Sequence, residues 1–473
     1  MGTATREQAT PGKLNGNPEK TNPNHSYLLS PVESYFWRFE EDMAGAFRVV
    51  VLVRLDGIIQ ADPLAWALAQ LQRRHPKLRA PIAEGADGRL RYRLDRDVPP
   101  IPFEIIDCHG AETPWREETR RLLGMDLRST GAAAAVTVLK NPSRGSSELL
   151  LMVPHAIADG MSGLLLLNDL LAEYANGEAT ADRQPVPSLP VVTAPRAKPS
   201  GGLRGRLRLF RRFLRMKREE RRSALTRLPE APDIPPQSQW VHWVFSKEET
   251  LTLVRRCRSE RASLTGALVA AACCALRDCL REPELLFKWQ IPFNLRESLE
   301  ASTGPVSASD LGCFVSNMNG LTRIAGEPAY WDLARGAHQE VQEFMDQGGP
   351  SFGYNTSCTL YSLHVAASRL FTGRVPKMTP ATTLRETLLA THYGVVNFRD
   401  SYGSLRPKEC TLMFKNEITG PSLVMEALIL GQRMNVGFAA DDLDPAFWEQ
   451  LQIAVRKHLA AAMSSAKTTS ANA

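Results

Sequence analysis

His155 closes the apolar run Leu149-Leu150-Leu151-Met152-Val153-Pro154, and Asp159 and Gly160 follow it at the fourth and fifth positions. The run reads as a buried strand and Ser162 to Leu167 as the start of a helix, which puts the histidine at a strand-to-helix junction. A side chain there projects from a rigid strand end. Its imidazole, with an unperturbed pKa near neutrality, can take a proton from an alcohol or an amine and return it later in the turnover. Asp159 reads as a group that turns inward and fixes the loop by pairing with a cation, not as a second base. Gly160 leaves room for substrate or permits an unusual backbone angle. A core histidine before an ordinary Asp-Gly turn has the same local spelling, so the flanking sequence has to decide.

The elements that would hold this group alternate between strand and helix. Over residues 26–180, Phe47 to Leu55, Arg91 to Leu94, Ala135 to Leu139 and Leu149 to Val153 read as strands. A helix is expected from Asp62-Pro63, as N-cap and first helical position, to about His75. Others are expected near 112–124 and at 162–175, the last closing at Asn176-Gly177. Residues 181–238 are a proline-rich linker that contains the run Leu203 to Arg222. Residues 239–465 resume the alternation. Strands are expected at 240–245, 285–292, 313–318, 393–398, 410–415, 422–429 and 433–438. Helices are expected after the Ser246/Glu249 capping box, at 263–280, 328–346 and 354–371, and from Asp444-Pro445 to about Met463. Residues 1–25 read as a disordered leader without the apolar segment of a signal peptide, and 466–473 as a disordered tail. The class is α/β in two halves.

At 473 residues, 43% hydrophobic and 23% charged, the chain has core material for two such halves. No apolar stretch reaches the roughly 20 residues that span a bilayer. Cysteines 108, 257, 273, 274, 279, 313, 358 and 410 form no CxxC pair, and no histidines make an HxH or HExxH pattern. A cytoplasmic protein with reduced thiols and no metal site is expected. Residues 203–222 carry ten basic and two acidic side chains, net +8. The whole chain is +6, so the remainder sums to −2 and the basic bias is local. Leu203, Leu207, Phe210 and Leu214 recur at helical spacing, which makes this a basic amphipathic helix. Three readings are open for it: a linker helix packed on the protein, a peripheral membrane contact, or a dock for an acidic carrier protein or the phosphates of coenzyme A. Nucleic acid is not an expected partner, since the rest of the surface is slightly acidic.

His155 to Gly160 spells HxxxDG, and four further segments in order resemble condensation domains and chloramphenicol-acetyltransferase-like acyltransferases. Leu29-Ser30-Pro31-Val32-Glu33-Ser34-Tyr35-Phe36-Trp37 is similar to their opening segment. Leu71 to Arg79, LQRRHPKLR, is similar to their RHxxLR segment. Pro292-Phe293-Asn294-Leu295-Arg296 resembles their NLR segment, and Asp310 to Asn317, DLGCFVSN, their GxFVN strand. The resemblance implies a pseudo-dimer of two such lobes with a tunnel between them and His155 midway along it. It implies a structural Asp159 whose cation is Arg296. It also implies acyl transfer from a coenzyme A or phosphopantetheine thioester, a co-substrate with no resident cofactor. The acceptor is expected to be a hydroxyl, in lipid or secondary-metabolite biosynthesis. A free-standing condensation enzyme that forms an amide from carrier-bound intermediates, and a non-catalytic module that recruits a carrier protein, are the alternatives. Asn317, Ser316 or the Gly160 N–H would supply the oxyanion donor. Cys313 falls near this site but has no base beside it in sequence. Two departures bear on the acceptor. Pro154 stands where assembly-line condensation domains carry a first histidine, which favours the stand-alone ester-forming relatives. The plant-type DFGWG motif is missing, and Val396-Asn397-Phe398-Arg399-Asp400 does not match it. No carrier or adenylation module is recognised, so action alone or in trans is expected.

Overall fold

The nine residues Arg48–Asp56 form a strand buried on both faces. Val49, Val51, Val53 and Leu55 pack under helices, while Val50 and Leu52 face a second sheet. Period-2 alternation therefore gives way to a continuous run of β-branched and aliphatic residues. In a computed structural model of the chain, Thr5–Glu7 and residues 26–464 are described, apart from 43–46, 95–97, 128–130, 179–187, 190–191, 193–194, 231–237, 302–303, 373–387 and 415–421 and the single positions 86, 111, 199 and 224.

The first sheet has the order Thr5–Glu7, Phe103–Asp107, Ala135–Asn141, Ser146–Pro154, Arg48–Asp56, Arg406–Phe414. The second has the order Ser238–Val244, Arg433–Asp441, Ser422–Leu430, Leu388–Val395, Glu284–Asn294, Val315–Ala325. Helices Ala61–Arg74 and Gly160–Glu178 cover the outer face of the first sheet. Helices Lys247–Ser259, Leu264–Leu280, Tyr330–Asp346 and Pro445–Met463 cover that of the second. Val50, Leu52, Leu150, Met152, Trp240 and Val424 meet in the core between the sheets. Two six-stranded α/β layers in this arrangement are what the pseudo-dimer reading requires. Arg406–Phe414 lies in the C-terminal half of the chain yet completes the first sheet, pairing antiparallel with Arg48–Asp56. It also ties the sheets together: Cys410 N donates to Asn435 Oδ1 (3.1 Å), and Leu412 N to Glu426 Oε1 (3.2 Å).

Local chemistry explains most boundaries. Ser246 and Glu249 form both bonds of the capping box and Asp444 caps its helix as expected, while Ser263, expected as the first residue of its helix, is instead its N-cap. Other boundaries differ, among them a helix that begins at Gly349 where 354 was expected and a strand that begins at Arg406 where 410 was expected. The first long helix starts at Ala61 with Gln60 as N-cap, so Asp62 lies in its first turn, where a carboxylate suits the helix dipole. Asn176-Gly177 does not end its helix, which continues to Glu178. Gly177 instead lets the helix approach Pro63 and Trp66, where a Cβ would be crowded. The strand expected from 313 starts at Val315, because the Phe314 N–H is taken by Asp159 and not by a ladder partner. The strand expected at 393–398 is Leu388–Val395. Within the expected leader, Thr5–Glu7 pairs with Phe103–Asp107; the rest of that leader and residues 466–473 lie outside the described residues.

Candidate active site

His155 follows the strand Ser146–Pro154 directly, and its N–H donates to the Phe47 carbonyl (2.9 Å). Ile157 N and Ala158 N both donate back to the Pro154 carbonyl, which closes a tight turn and aims the imidazole away from the strand. Phe36 stacks on the ring at 4.4 Å between centroids and 6° between planes, and Phe47 and Phe414 stand at 6.5 and 6.3 Å. The ring is partly buried in this apolar enclosure. Burial pushes its pKa below the ordinary value against the opposing pull of its own backbone carbonyl and of Asp159, so it is neutral at pH 7. Cys313 Sγ lies 3.6 Å from Nδ1. Burial, with Asp159 and Glu33 nearby, pushes that thiol well above its usual range and keeps it protonated.

Asp159 turns inward. Its Oδ2 accepts from Arg296 Nη1 (3.0 Å) and Phe314 N (3.0 Å), and its Oδ1 from Arg296 Nη2 (2.9 Å) and Ser162 N (2.7 Å). Burial alone would raise the pKa of this carboxyl. The charge and hydrogen bonds of Arg296, with the two backbone donors, outweigh burial and leave it below the usual value. Arg296 is 4% exposed and also donates to Ser162 Oγ (2.6 Å) and Asn294 Oδ1 (3.1 Å), with Phe314 under its plane at 4.8 Å. Asp159 N and Ser162 Oγ both donate to the Gly312 carbonyl. The turn that carries His155 is thus bolted to residues 294–314 by a planar, bidentate ion pair. Gly160 is required for a different reason from those anticipated. Its φ is not positive, and the space beside it is filled by Tyr393, whose hydroxyl a Cβ would overlap.

A second buried pair supports the same turn. Lys77 Nζ lies 2.6 Å from Glu33 Oε1, and Glu33 with Ser30 forms a capping box at the start of the helix Pro31–Asp42. The Tyr92 hydroxyl bridges Glu33 Oε1 and the Ala156 carbonyl, each at 3.3 Å. The segments LSPVESYFW and LQRRHPKLR are therefore structural neighbours under the turn.

The structure brings together His155, Asp159, Gly160 and Arg296. It places Ser316 and Asn317 on Val315–Ala325, opposite Phe293 and Pro292. Ser316 is buried, its hydroxyl directed at Gly353 and without a hydrogen-bond partner, and Asn317 is exposed. Among the described contacts neither residue meets His155. Sequence reasoning missed Phe36, Phe47, Phe414 and Tyr393 as parts of the site; only Phe36, inside the matched opening segment, carried a signal. Between the sheets a narrow cleft, with room for little more than a water molecule, is lined by Trp115, Trp240, Phe414, Val424, Glu426 and Phe438. It shares Phe414 with the enclosure of His155.

No protein-family model matches the chain. A phthiocerol/phthiodiolone dimycocerosyl transferase of Mycobacterium leprae (strain TN) is 25% identical over 290 residues, 60% of this chain, and the match spans 65% of that relative's length. Among solved structures, the trichothecene 15-O-acetyltransferase of Fusarium sporotrichioides superposes with a TM-score of 0.66 at 10% identity, covering 93% of this chain and 96% of that one. The first condensation domain of the calcium-dependent antibiotic synthetase superposes with 0.63 at 14% identity, covering 96% and 100%. The chain has the fold of condensation domains and chloramphenicol-acetyltransferase-like proteins, as the motif order implied.

Proposed function

We propose that the protein is an acyltransferase. It moves an acyl group from a thioester, of coenzyme A or of a carrier protein's phosphopantetheine, to a hydroxyl acceptor in lipid or secondary-metabolite biosynthesis. The observation that carries this reading is the division of roles at one turn: Asp159 is saturated by Arg296 and two backbone donors, while His155 stands neutral among apolar rings. The names borne by the M. leprae relative and the Fusarium structure support acyl transfer, and the second supports oxygen as the acceptor atom.

In this mechanism the neutral ring carries its proton on Nδ1 and its lone pair on Nε2. Nε2 takes the acceptor's proton as its oxygen attacks the thioester carbonyl. Collapse of the tetrahedral intermediate breaks the C–S bond, and the imidazolium returns the proton to the departing sulfur. Ester and thiol leave, and no acyl-enzyme is required, since positioning of both substrates lowers the barrier. For the oxyanion we propose a donor among the Gly160 N–H, at a helix N-terminus, and the side chains of Ser316 and Asn317. The test is thiol release from acyl-CoAs of graded chain length and from an acyl-carrier thioester, with alcohols and amines as acceptors. Acceptor-dependent release that falls about 10²–10⁴-fold in His155→Ala is expected. Release unchanged in that variant overturns the mechanism, and preference for amines overturns the choice of acceptor.

A further inference from the structure

The helix Gly202–Arg222 turns its apolar stripe away from the protein. Gly205, Leu209, Arg212 and Met216 form the face directed at the body. Gly205 lies against the Gln347 carbonyl, Leu209 is buried in the core of the second half, and Arg212 pairs with Glu340 (2.8 Å) and donates to the Asn319 carbonyl (2.8 Å). Leu203, Leu207, Phe210 and Leu214 repeat the same spacing two residues earlier. At 3.6 residues per turn that offset rotates them by about 200°, to the opposite side. All four are exposed, Leu203 by 75% and Phe210 by 55%. The charges follow the same division. Both acids of the helix are engaged, Glu219 with Arg323 and Glu220 with Lys217 (2.6 Å) and Lys288 (3.4 Å). Arg206 on one flank of the stripe, and Arg204, Arg208, Arg211, Arg215 and Arg218 on the other, are exposed and make no ion pair among the described residues.

We infer that this helix docks the protein in the plane of an anionic lipid surface. Leu203, Leu207, Phe210 and Leu214 enter the acyl boundary, and the flanking arginines meet the headgroup phosphates. An acidic protein would satisfy the arginines and leave four large apolar side chains in water. A neutral bilayer would take the stripe and leave the arginines without counter-charge. An anionic bilayer matches both on one face. Among the described residues no single helix is long and apolar enough to cross a membrane, so the contact is made from the surface. This inference stands apart from the acyl-transfer reading, since it uses none of the residues around His155.

The test is co-sedimentation of the full chain with vesicles of phosphatidylcholine alone and with vesicles of equal parts phosphatidylcholine and phosphatidylglycerol. Binding to the anionic vesicles alone is expected. Arg211→Gln with Arg215→Gln should weaken it about 25-fold, roughly fivefold per arginine. Leu207→Ser with Phe210→Ser should weaken it more than about tenfold, with an unchanged melting temperature because both side chains are exposed. Binding to neither vesicle, or to both equally, overturns the inference. So does anionic binding that survives Leu207→Ser with Phe210→Ser undiminished, which would leave a purely electrostatic patch suited to an acidic protein.

Discussion

Asp159→Ala removes the acceptor from four donors at once: both terminal nitrogens of Arg296 and the N–H groups of Ser162 and Phe314. Breaking a buried ion pair from one side costs roughly 3–5 kcal/mol, because the surviving charge stays buried without its partner. Two abandoned N–H groups at about 1–3 kcal/mol each push toward the upper end. Ser162 Oγ and Asn294 Oδ1 still hold the guanidinium and push the other way. A loss of about 4 kcal/mol is therefore expected, read by denaturant unfolding alongside the melting temperature. Asp159→Ala combined with Arg296→Met should recover part of the loss, because no unpaired charge remains in the core. Thiol release should fall in both variants, since the turn carrying His155 is no longer bolted to residues 294–314. An Asp159→Ala protein that melts with the wild type and is nonetheless inactive would refute the reasoning and make the aspartate a participant in the chemistry.

Three other outcomes follow from the same geometry. Cys313→Ala should keep thiol release within a few-fold of wild type and trap no less product, because the buried Cys313 is held as a thiol; abolished release would make it the nucleophile of an acyl-enzyme. The acid limb of kcat/KM should lie below the ordinary imidazole value of about 6.5, since burial holds His155 neutral, and a limb at or above that value contradicts the site. Glu426 is fully buried and its pKa is pushed up to about 7, against the hydrogen bonds from Thr411 and Leu412. The folded state then keeps a proton that the unfolded chain releases near 4.3, so stability declines as pH rises between those values. Glu426→Gln should flatten that decline in a pH series of melting temperatures, and an unchanged slope would mean that Glu426 does not carry it.

What could be read from the sequence was local. The strand before His155, the caps at Ser246 and Asp444, and the junction itself each depend on residues a few positions apart, and the structure keeps them. The pairing of Asp159 with Arg296 spans 137 residues and came from motif order, not from spacing. Nothing in the sequence places Phe414 or Tyr393 beside the turn, because strand order decides that and the order is non-sequential: Arg406–Phe414 leaves its own half to pair with Arg48–Asp56. Cys313 lacked a neighbouring base in sequence because its neighbour is 158 residues away. The direction of the stripe on Gly202–Arg222 was equally out of reach. Periodicity shows that a helix has an apolar side, but only packing shows which side the protein uses.

The origin of the site's parts explains its dependence on the whole chain. The base and the turn belong to the N-terminal half, whereas Arg296, Gly312, Phe314, Tyr393 and Phe414 belong to the C-terminal half. The strand Arg406–Phe414 does two things at once: it completes the first sheet, and its last residue flanks the imidazole. Its backbone is in turn held by side chains of the second sheet, through Asn435 and Glu426. Phe414 and His155 both stand at strand ends of the first sheet and move together, whereas a shift between the sheets would pull on the turn through Arg296. The spacing of the two halves and the orientation of the base are therefore mechanically linked through that ion pair.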